Sequence, residues 1–380
     1  MNFFSIIILG YFVLAGYLIY AIGRDQKNST LFFGRHKNWT LGIVAILILG
    51  VISAFDARFI EPWTIKTTPI EIKISGLTST IKIAFISDLQ IGNHKKSAWV
   101  EKIVERIKQE KPDLVILGGD LIDNEGTFED ESVYLEPLKN IAELYPTFAV
   151  LGNHEYGIGS GAVGFDQYYT GNRSAEVIER LKNLNIKLLR NDLACPEIKG
   201  QKLCLYGIDD LWGGKPNFDA LAACHPERSE GSLTLRKIRD SSVASLPQND
   251  NCVATTTPVL FITHNPDGVQ LWPKNLRAPD LTLAGHTHGG QVYLPFIGPI
   301  GNPGITLPKK YYRGLNYVSL RGSADEALTK QSLEYNGIAS PTARNDAPIY
   351  TSVGIGESGG AVRFWTLPEI VIITLVPRAH

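Results

Sequence analysis

Little in this 380-residue chain is one-sided: 37 Lys and Arg stand against 38 Asp and Glu, for a formal net charge of -1. Without an electropositive excess there is no footprint for a phosphate backbone, and nucleic acid is not an expected partner. Cysteine is scarce. Cys195, Cys204, Cys224 and Cys252 form no Cys-x-x-Cys pair and no zinc-ribbon spacing, which removes the common thiolate metal sites. An oxidising compartment permits Cys195–Cys204 across an expected hairpin and Cys224–Cys252 across an insert; unpaired buried or loop thiols are the other reading.

Charge is also missing from Phe3 to Ile22, a run that matches the ~20 residues a bilayer-spanning helix requires. No Lys or Arg precedes it and no small-residue cleavage site follows, so a retained span is expected rather than a cleaved signal peptide. Trp39 to Phe55 is a second apolar run, near the lower limit of ~17 residues, and it lengthens only by taking Asp56 and Arg58 into the interface. Arg24, Lys27, Arg35 and Lys37 lie between the two runs. By the positive-inside rule this short loop is cytoplasmic, and a second crossing places everything after Phe59 on the extracytoplasmic side. Were the second run to lie flat, the same rule would leave the later residues in the cytoplasm. Residues 1–60 are thus expected to form a membrane anchor, and 61–380 a domain with ample material for a core.

Along that domain, apolar strands end repeatedly in polar, ligand-type residues. Trp63 to Ile74 alternates as a half-buried strand does. Ile81 to Ser87 leads into Asp88-Leu89-Gln90, followed by an amphipathic helix through Trp99, Val100, Ile103, Val104 and Ile107. Leu114 to Leu117 leads into Gly118-Gly119-Asp120-Leu121-Ile122-Asp123, with a helix expected over Val133 to Leu144. Thr147 to Leu151 leads into Gly152-Asn153-His154-Glu155, Val259 to Thr263 into His264, and Leu281 to Leu283 into Ala284-Gly285-His286-Thr287-His288-Gly289-Gly290-Gln291. Strands alternating with helices indicate an α/β fold. Residues 222–257 and 321–347 lack apolar periodicity and are expected to be insertions, with a substrate lid as the rival reading. The Gly/Pro-rich run Tyr293 to Pro308 is expected to wall the site.

Sites in open α/β sheets form beyond the carboxyl ends of strands, where Asp88, Gln90, Asp120, Asn153, His154, His264, His286 and His288 all fall. A shared carboxylate with oxygen and nitrogen donors on either side is what two adjacent divalent metals require. Asp123, Glu155, Asp209 and Asp210 can accept from the free ring N–H of metal-bound imidazoles, or serve as turn and cap carboxylates. Arg313 and Arg363 can meet a substrate phosphate or be structural, and His94 is a spare imidazole or a solvated loop residue.

Asp-x-Gln, Gly-Gly-Asp-x-x-Asp, Gly-Asn-His-Glu, a lone His and Gly-His-Thr-His, in this order, resemble the calcineurin-like metallophosphoesterase superfamily over roughly Ile81 to Leu375. The membrane-proximal start and the wording Gly-His-Thr-His-Gly-Gly-Gln resemble its bacterial membrane-associated branch, which includes enzymes similar to lipid-precursor pyrophosphatases. The resemblance implies a four-layer α-β-β-α sandwich with two mixed sheets. It implies two divalent metal ions, Mn, Fe, Zn or Mg, with Asp88, Gln90, Asp120 and His288 at one, and Asp120, Asn153, His264 and His286 at the other. Asp120 would bridge, and His154 would serve the leaving oxygen. The expected reaction is hydrolysis of a phosphoester or pyrophosphate bond by metal-activated hydroxide. The expected substrate is a phosphorylated small molecule or lipid of the cell envelope, at a bacterial-type cell membrane. An anchored phosphodiesterase for soluble nucleotides and a non-catalytic scaffolding relative are the alternatives. Gln90 departs from the family's usual His, and its amide oxygen is a weaker donor to transition metals.

Overall fold

The computed structural model describes residues 3–28, 30–92, 94–125, 129–160, 167–223, 257–320 and 346–378. The expected insertions at 222–257 and 321–347, apart from their end residues, and the Cys224–Cys252 pairing lie outside the described residues.

Two helices open the chain, α1 (Phe3–Asp25) and α2 (Lys37–Phe55). Both are long and apolar enough to cross a membrane, and they present Val13, Ile46 and Leu49 outward, each more than 60% exposed. The second run does not stop at Phe55. It winds on through a π turn (Asp56–Ile60) and a 3-10 turn (Glu61–Trp63), where the Ala57 carbonyl accepts the Arg363 N–H at 2.9 Å.

The rest of the chain builds two six-stranded mixed sheets. One is assembled from β1 (Lys66–Ile74), β2 (Ile81–Ile86), β3 (Leu114–Gly118), β4 (Thr147–Val150) and β5 (Lys187–Leu188). The other uses β6 (Asp192–Ala194), β7 (Cys204–Gly207), β8 (Val259–Ile262), β9 (Leu281–Ala284), β10 (Gly314–Ser319) and β11 (Asp346–Thr351). The final strand, β12 (Glu369–Pro377), returns to the first sheet between β1 and β2, parallel to β1 and antiparallel to β2, giving the order β1-β12-β2-β3-β4-β5. The second sheet runs β10-β11-β9-β8-β7-β6, with antiparallel strands at both edges. Pro69 sits in β1, an edge strand, where its missing N–H costs no ladder bond. Cys195 and Cys204 are joined by a disulfide that closes the β6–β7 connection.

The central strands are continuous apolar runs because both of their faces are covered. Ile83, Phe85, Leu114, Ile116 and Val150 of the first sheet share one core cluster with Leu205, Leu260, Ile262, Leu281 and Leu283 of the second. The first sheet's other face carries α3 (Ser97–Glu110) and α4 (Ser174–Asn183). The helix α3 buries Trp99, Val100, Ile103, Val104 and Ile107 as its spacing indicated, each contributing roughly 1.5–3 kcal/mol. The helix expected over 133–144 is instead a 3-10 segment, Glu131–Leu138, followed by a single α turn, Lys139–Ala142. Pro137 lies inside it and offers no N–H for an i to i−4 bond. Tyr206, Phe218, Phe261 and Trp272 pack together on the second sheet's other side.

Candidate metal centre

The loops after β2, β3 and β4 are knitted together before any side chain acts. Ladder bonding continues past the strand ends, with Asp88 N–H donating to Gly119 O at 2.9 Å and Gln90 N–H to Asp120 O at 3.0 Å. Glu155 closes the β3 and β4 loops on each other: its carboxylate accepts backbone N–H groups from Asp120, Leu121, Ile122 and Gly152, at 2.7–3.2 Å. From the second sheet, His286 N–H donates to Asp88 Oδ1 at 2.8 Å, and Gly285 N–H to His264 O at 2.8 Å. Gly152 and Gly285 admit no side chain. A Cβ on the first would lie 2.3 Å from Asp120 Oδ1, and on the second 1.8 Å from Ser87 Oγ and 2.5 Å from Asp88 Oδ2.

Asp88, Gln90, Asp120, His286 and His288 all have positive φ, between 48° and 69°. Side chains other than glycine rarely adopt this backbone, at about 1–3 kcal/mol each, and such costs collect at functional sites. The strain turns all five side chains into one buried pocket, with none more than 7% exposed.

Asp120 is the hub. Its Oδ1 accepts the His154 N–H at 2.9 Å, and its Oδ2 accepts Gln90 Nε2 at 3.1 Å and lies 3.0 Å from His264 Nε2. Donor atoms of Asp120, His264 and His286 lie within 4.8 Å of one another. His288 Nε2 stands 3.6 Å from Asp88 Oδ1. Asn153 joins through Oδ1, 2.8 Å from His286 Nδ1. The seven expected ligands are thus linked by short contacts at the strand ends, and among the described residues Asp120, His264 and His286 form the group whose donor atoms lie close enough together to hold a cation. His94 is exposed on its loop.

The ring nitrogens test whether cations fit here. His286 Nε2 faces the Pro303 carbonyl at 2.9 Å, while Nδ1 faces Asn153 Oδ1 at 2.8 Å. Burial, with His264 next, lowers the His286 pKa to about 3, so the ring is neutral and carries one N–H. With that proton on the Pro303 side, Nδ1 and Asn153 Oδ1 oppose each other as two lone pairs, which a shared cation relieves. His264 donates Nδ1–H to Gly118 O at 2.8 Å, which turns Nε2 toward Asp120. Burial lowers the His264 pKa, but Asp120 outweighs it, and without a cation the ring stands at about 10. His288 is held well below the ordinary histidine range by burial and then by Arg363. Burial raises Asp88 to about 6; for Asp120, the charges of His264 and His154 outweigh burial and keep it ionised. Asp88 Oδ2, Gln90 Oε1 and His288 Nδ1 are buried with no hydrogen-bond partner among the described residues. Two hard oxygens and an imidazole nitrogen without donors or acceptors suit a divalent cation.

Some expectations change. His154 Nδ1 meets the backbone carbonyl of Asp123, not its carboxylate, and Nε2 lies 3.5 Å from Ser358 Oγ. Asp209 braces a turn through Tyr156 Oη, Arg190 and the Lys215 N–H, while Asp210 caps Trp212 and Gly213. Arg363 is fully buried, donating to Glu357 and to the carbonyls of Thr366, Val353 and Gly356, which makes it a structural residue of this loop. Arg313 lies over the Tyr293 ring at 3.9 Å. Sequence reasoning does not single out Trp212, whose ring meets His286 edge-on at 4.6 Å, or the Pro303 carbonyl, which lies in the Gly/Pro-rich run expected to wall the site.

Comparison with known proteins agrees with this geometry. The family model described as calcineurin-like phosphoesterase matches residues 81–290. The chain is 26% identical to the uncharacterized metallophosphoesterase YkuE of Bacillus subtilis, over 89% of this chain and 96% of that one. It is 28% identical to the phosphodiesterase YaeI of Escherichia coli, over 78% and 82%. An uncharacterized metallophosphoesterase of Helicobacter pylori is also 28% identical, over 83% of this chain, which spans 64% of that longer protein. The chain belongs to the calcineurin-like phosphoesterase family, hydrolases acting on phosphoesters.

Proposed function

We propose that this protein is a membrane-tethered phosphohydrolase with a dinuclear metal centre, acting on a phosphoester or pyrophosphate carried by a lipid-linked or cell-envelope molecule. Asp88, Gln90, Asp120 and His288 would hold one divalent cation, and Asp120, Asn153, His264 and His286 the other. The observation that carries this is the clustering of Asp120, His264 and His286 donor atoms within 4.8 Å, among buried acceptors lacking donors. When bound, the cations supply a nucleophile ionised near neutral pH and neutralise charge on the phosphoryl oxygens.

The chain's own residues do the rest. Gly118 O orients the His264 ring and Pro303 O that of His286, so that His264 Nε2, once a cation displaces its proton, and His286 Nδ1 would face the metal positions. His154, with Nδ1–H donated to the Asp123 carbonyl and Nε2 3.5 Å from Ser358 Oγ, would carry a second proton on Nε2 and, as imidazolium, hydrogen-bond or protonate a leaving oxygen, a contribution of typically ~10²–10⁴-fold. Burial of the pocket excludes bulk water and strengthens each of these contacts.

Residues 1–60 are read as the anchor and 61–380 as the catalytic domain. The two apolar helices support tethering, and the Cys195–Cys204 disulfide supports an extracytoplasmic catalytic domain. The test is turnover by the full-length protein in nanodiscs, with Mn²⁺, Mg²⁺, Zn²⁺ or Fe²⁺ added singly. The substrates are bis-p-nitrophenyl phosphate, a cyclic nucleotide and a lipid-linked pyrophosphate. Metal-dependent hydrolysis that favours the lipid is expected; a preference for the nucleotide would leave the anchored soluble-nucleotide enzyme, and no hydrolysis with any metal the scaffolding relative.

A further inference from the structure

The end of α2 is bonded to the same loop that supports the metal centre. Arg363 N–H donates to Ala57 O, and the Glu61 carboxylate accepts the N–H groups of Trp365 and Thr366. A few residues earlier in that loop, Ile355 N–H donates to Ser87 O and Gly356 N–H to Asp88 O. Trp39 and Trp63 mark the two ends of the helical run Lys37–Trp63, separated by about 36 Å at 1.5 Å per residue. That separation matches a hydrocarbon core of ~30 Å plus part of each interface, where tryptophan is enriched. Ala57 lies between Asp56 and Arg58, the first charged side chains after the apolar run Trp39 to Phe55, which belong at the interface. The segment Arg363–Thr366 is therefore held at interfacial depth.

Strand direction gives the same orientation. β1 leaves the helix end at Lys66 and terminates at Ile74, about 30 Å along. β12 is parallel to it and β2 antiparallel to β12, so β2 returns, and its carboxyl end, with Asp88, comes back to the membrane side. β3 and β4 run parallel to β2 and bring Asp120 and Asn153 to that same end.

Exposed apolar side chains gather there. Val292 pairs with Phe364, and Tyr293 N–H donates to Phe364 O, at the base of a hairpin formed by Tyr293–Leu294 and Gly298–Pro299. At its tip Phe296 is fully exposed at φ 66°, and Ile297 is 70% exposed. Ile300 beside the hairpin and Trp365, at φ 54°, are 55% and 60% exposed. Phe59 and Ile60 on the helix end are about half exposed. Large side chains held outward on a left-handed backbone are costly in water and are buried favourably at a bilayer interface.

We propose that the hairpin Tyr293–Pro299, together with Trp365, is a membrane-docking surface that seats the mouth of the metal centre on the bilayer. The hairpin's continuation carries Pro303, whose carbonyl faces His286, so the docked surface and the wall of the site are one loop. A phosphoester held at headgroup depth by an acyl or polyprenyl chain then meets the metal centre without leaving the membrane. This rests on the reading of α2 as a membrane span.

The test uses full-length protein in phosphatidylcholine nanodiscs, in a Cys224→Ser, Cys252→Ser background. A single added cysteine carries an environment-sensitive dye at Phe296→Cys, Ile46→Cys or Glu197→Cys. Glu197 belongs to the hairpin beside Thr78–Thr80, at the opposite end of β2, and serves as the remote control. The dye at 296 is expected to shift to the blue and lose emission to lipid spin-labelled near the headgroup. The dye at 46 is expected to lose emission to lipid spin-labelled deep in the chain, and the dye at 197 to neither. Quenching at 46 with none at 296, or equal quenching at 296 and 197, overturns the docking surface while leaving the anchor intact. No quenching at 46 overturns the anchor and the docking surface together.

Discussion

His264 Nε2 stands 3.0 Å from Asp120 Oδ2, with its other ring nitrogen tied to the Gly118 carbonyl. The two residues are 144 positions apart and come from different sheets, so their meeting depends on the sheets packing face to face. Asp120 in turn contacts Gln90 and the backbone of His154, which makes its carboxylate the common neighbour of three loops.

Glu155 is a positioning residue for Asp120. Four backbone N–H groups converge on its carboxylate, favouring the charged form, while burial and then the charge of Asp120 raise its pKa to about 7. In Glu155→Gln an amide NH₂ must face an N–H. The expected result is a lower melting temperature and a metal affinity reduced by roughly 10–100-fold, measured by calorimetric titration; rescue by Glu155→Asp would show that charge rather than fit is required.

Gln90 spends its amide nitrogen on Asp120 and leaves Oε1 buried without a partner among the described residues, the oxygen it would offer to the first cation of the proposed centre. Replacing it with an imidazole, in Gln90→His, is expected to tighten Zn²⁺ or Fe²⁺ more than Mg²⁺. Competition titrations against wild type check this, and unchanged affinities would remove the idea.

Lys95 gives a pH signature away from the metal pocket. Burial pushes its ammonium down to about 8, although Glu357 Oε1 lies 2.8 Å away. Below pH 8 the cost of burying that charge is present in full. Between pH 8 and 10.5 the folded chain has released a proton that the unfolded chain keeps, so this group's contribution to stability rises with pH. The gain relative to Lys95→Met is on the order of 3 kcal/mol. Denaturant midpoints of both proteins from pH 7 to 10 measure it, and a flat difference would contradict it.

The strand-end residues were legible because each follows an uninterrupted apolar run, and such runs mark strands covered on both faces. What the residues between motifs do was not. Nothing in sequence spacing distinguishes Glu155 accepting four N–H groups from a capping carboxylate, or Arg363 locked in the interior from an arginine awaiting phosphate. The 131–142 segment keeps apolar residues at helical spacing through Pro137, and periodicity does not register a missing N–H. The run-on of α2 to Trp63 is set by bonds to residues about 300 positions later, Arg363 to Thr366, which local pattern does not carry.

Metal content with and without the Asp120 carboxylate tests the centre most directly. Elemental analysis of full-length wild type is expected to give two divalent cations per chain. Asp120→Asn is expected to lose tight binding at both positions, with turnover falling more than about a hundredfold. A wild type that retains no cation, or an Asp120→Asn protein that retains both, would contradict a centre shared through Asp120.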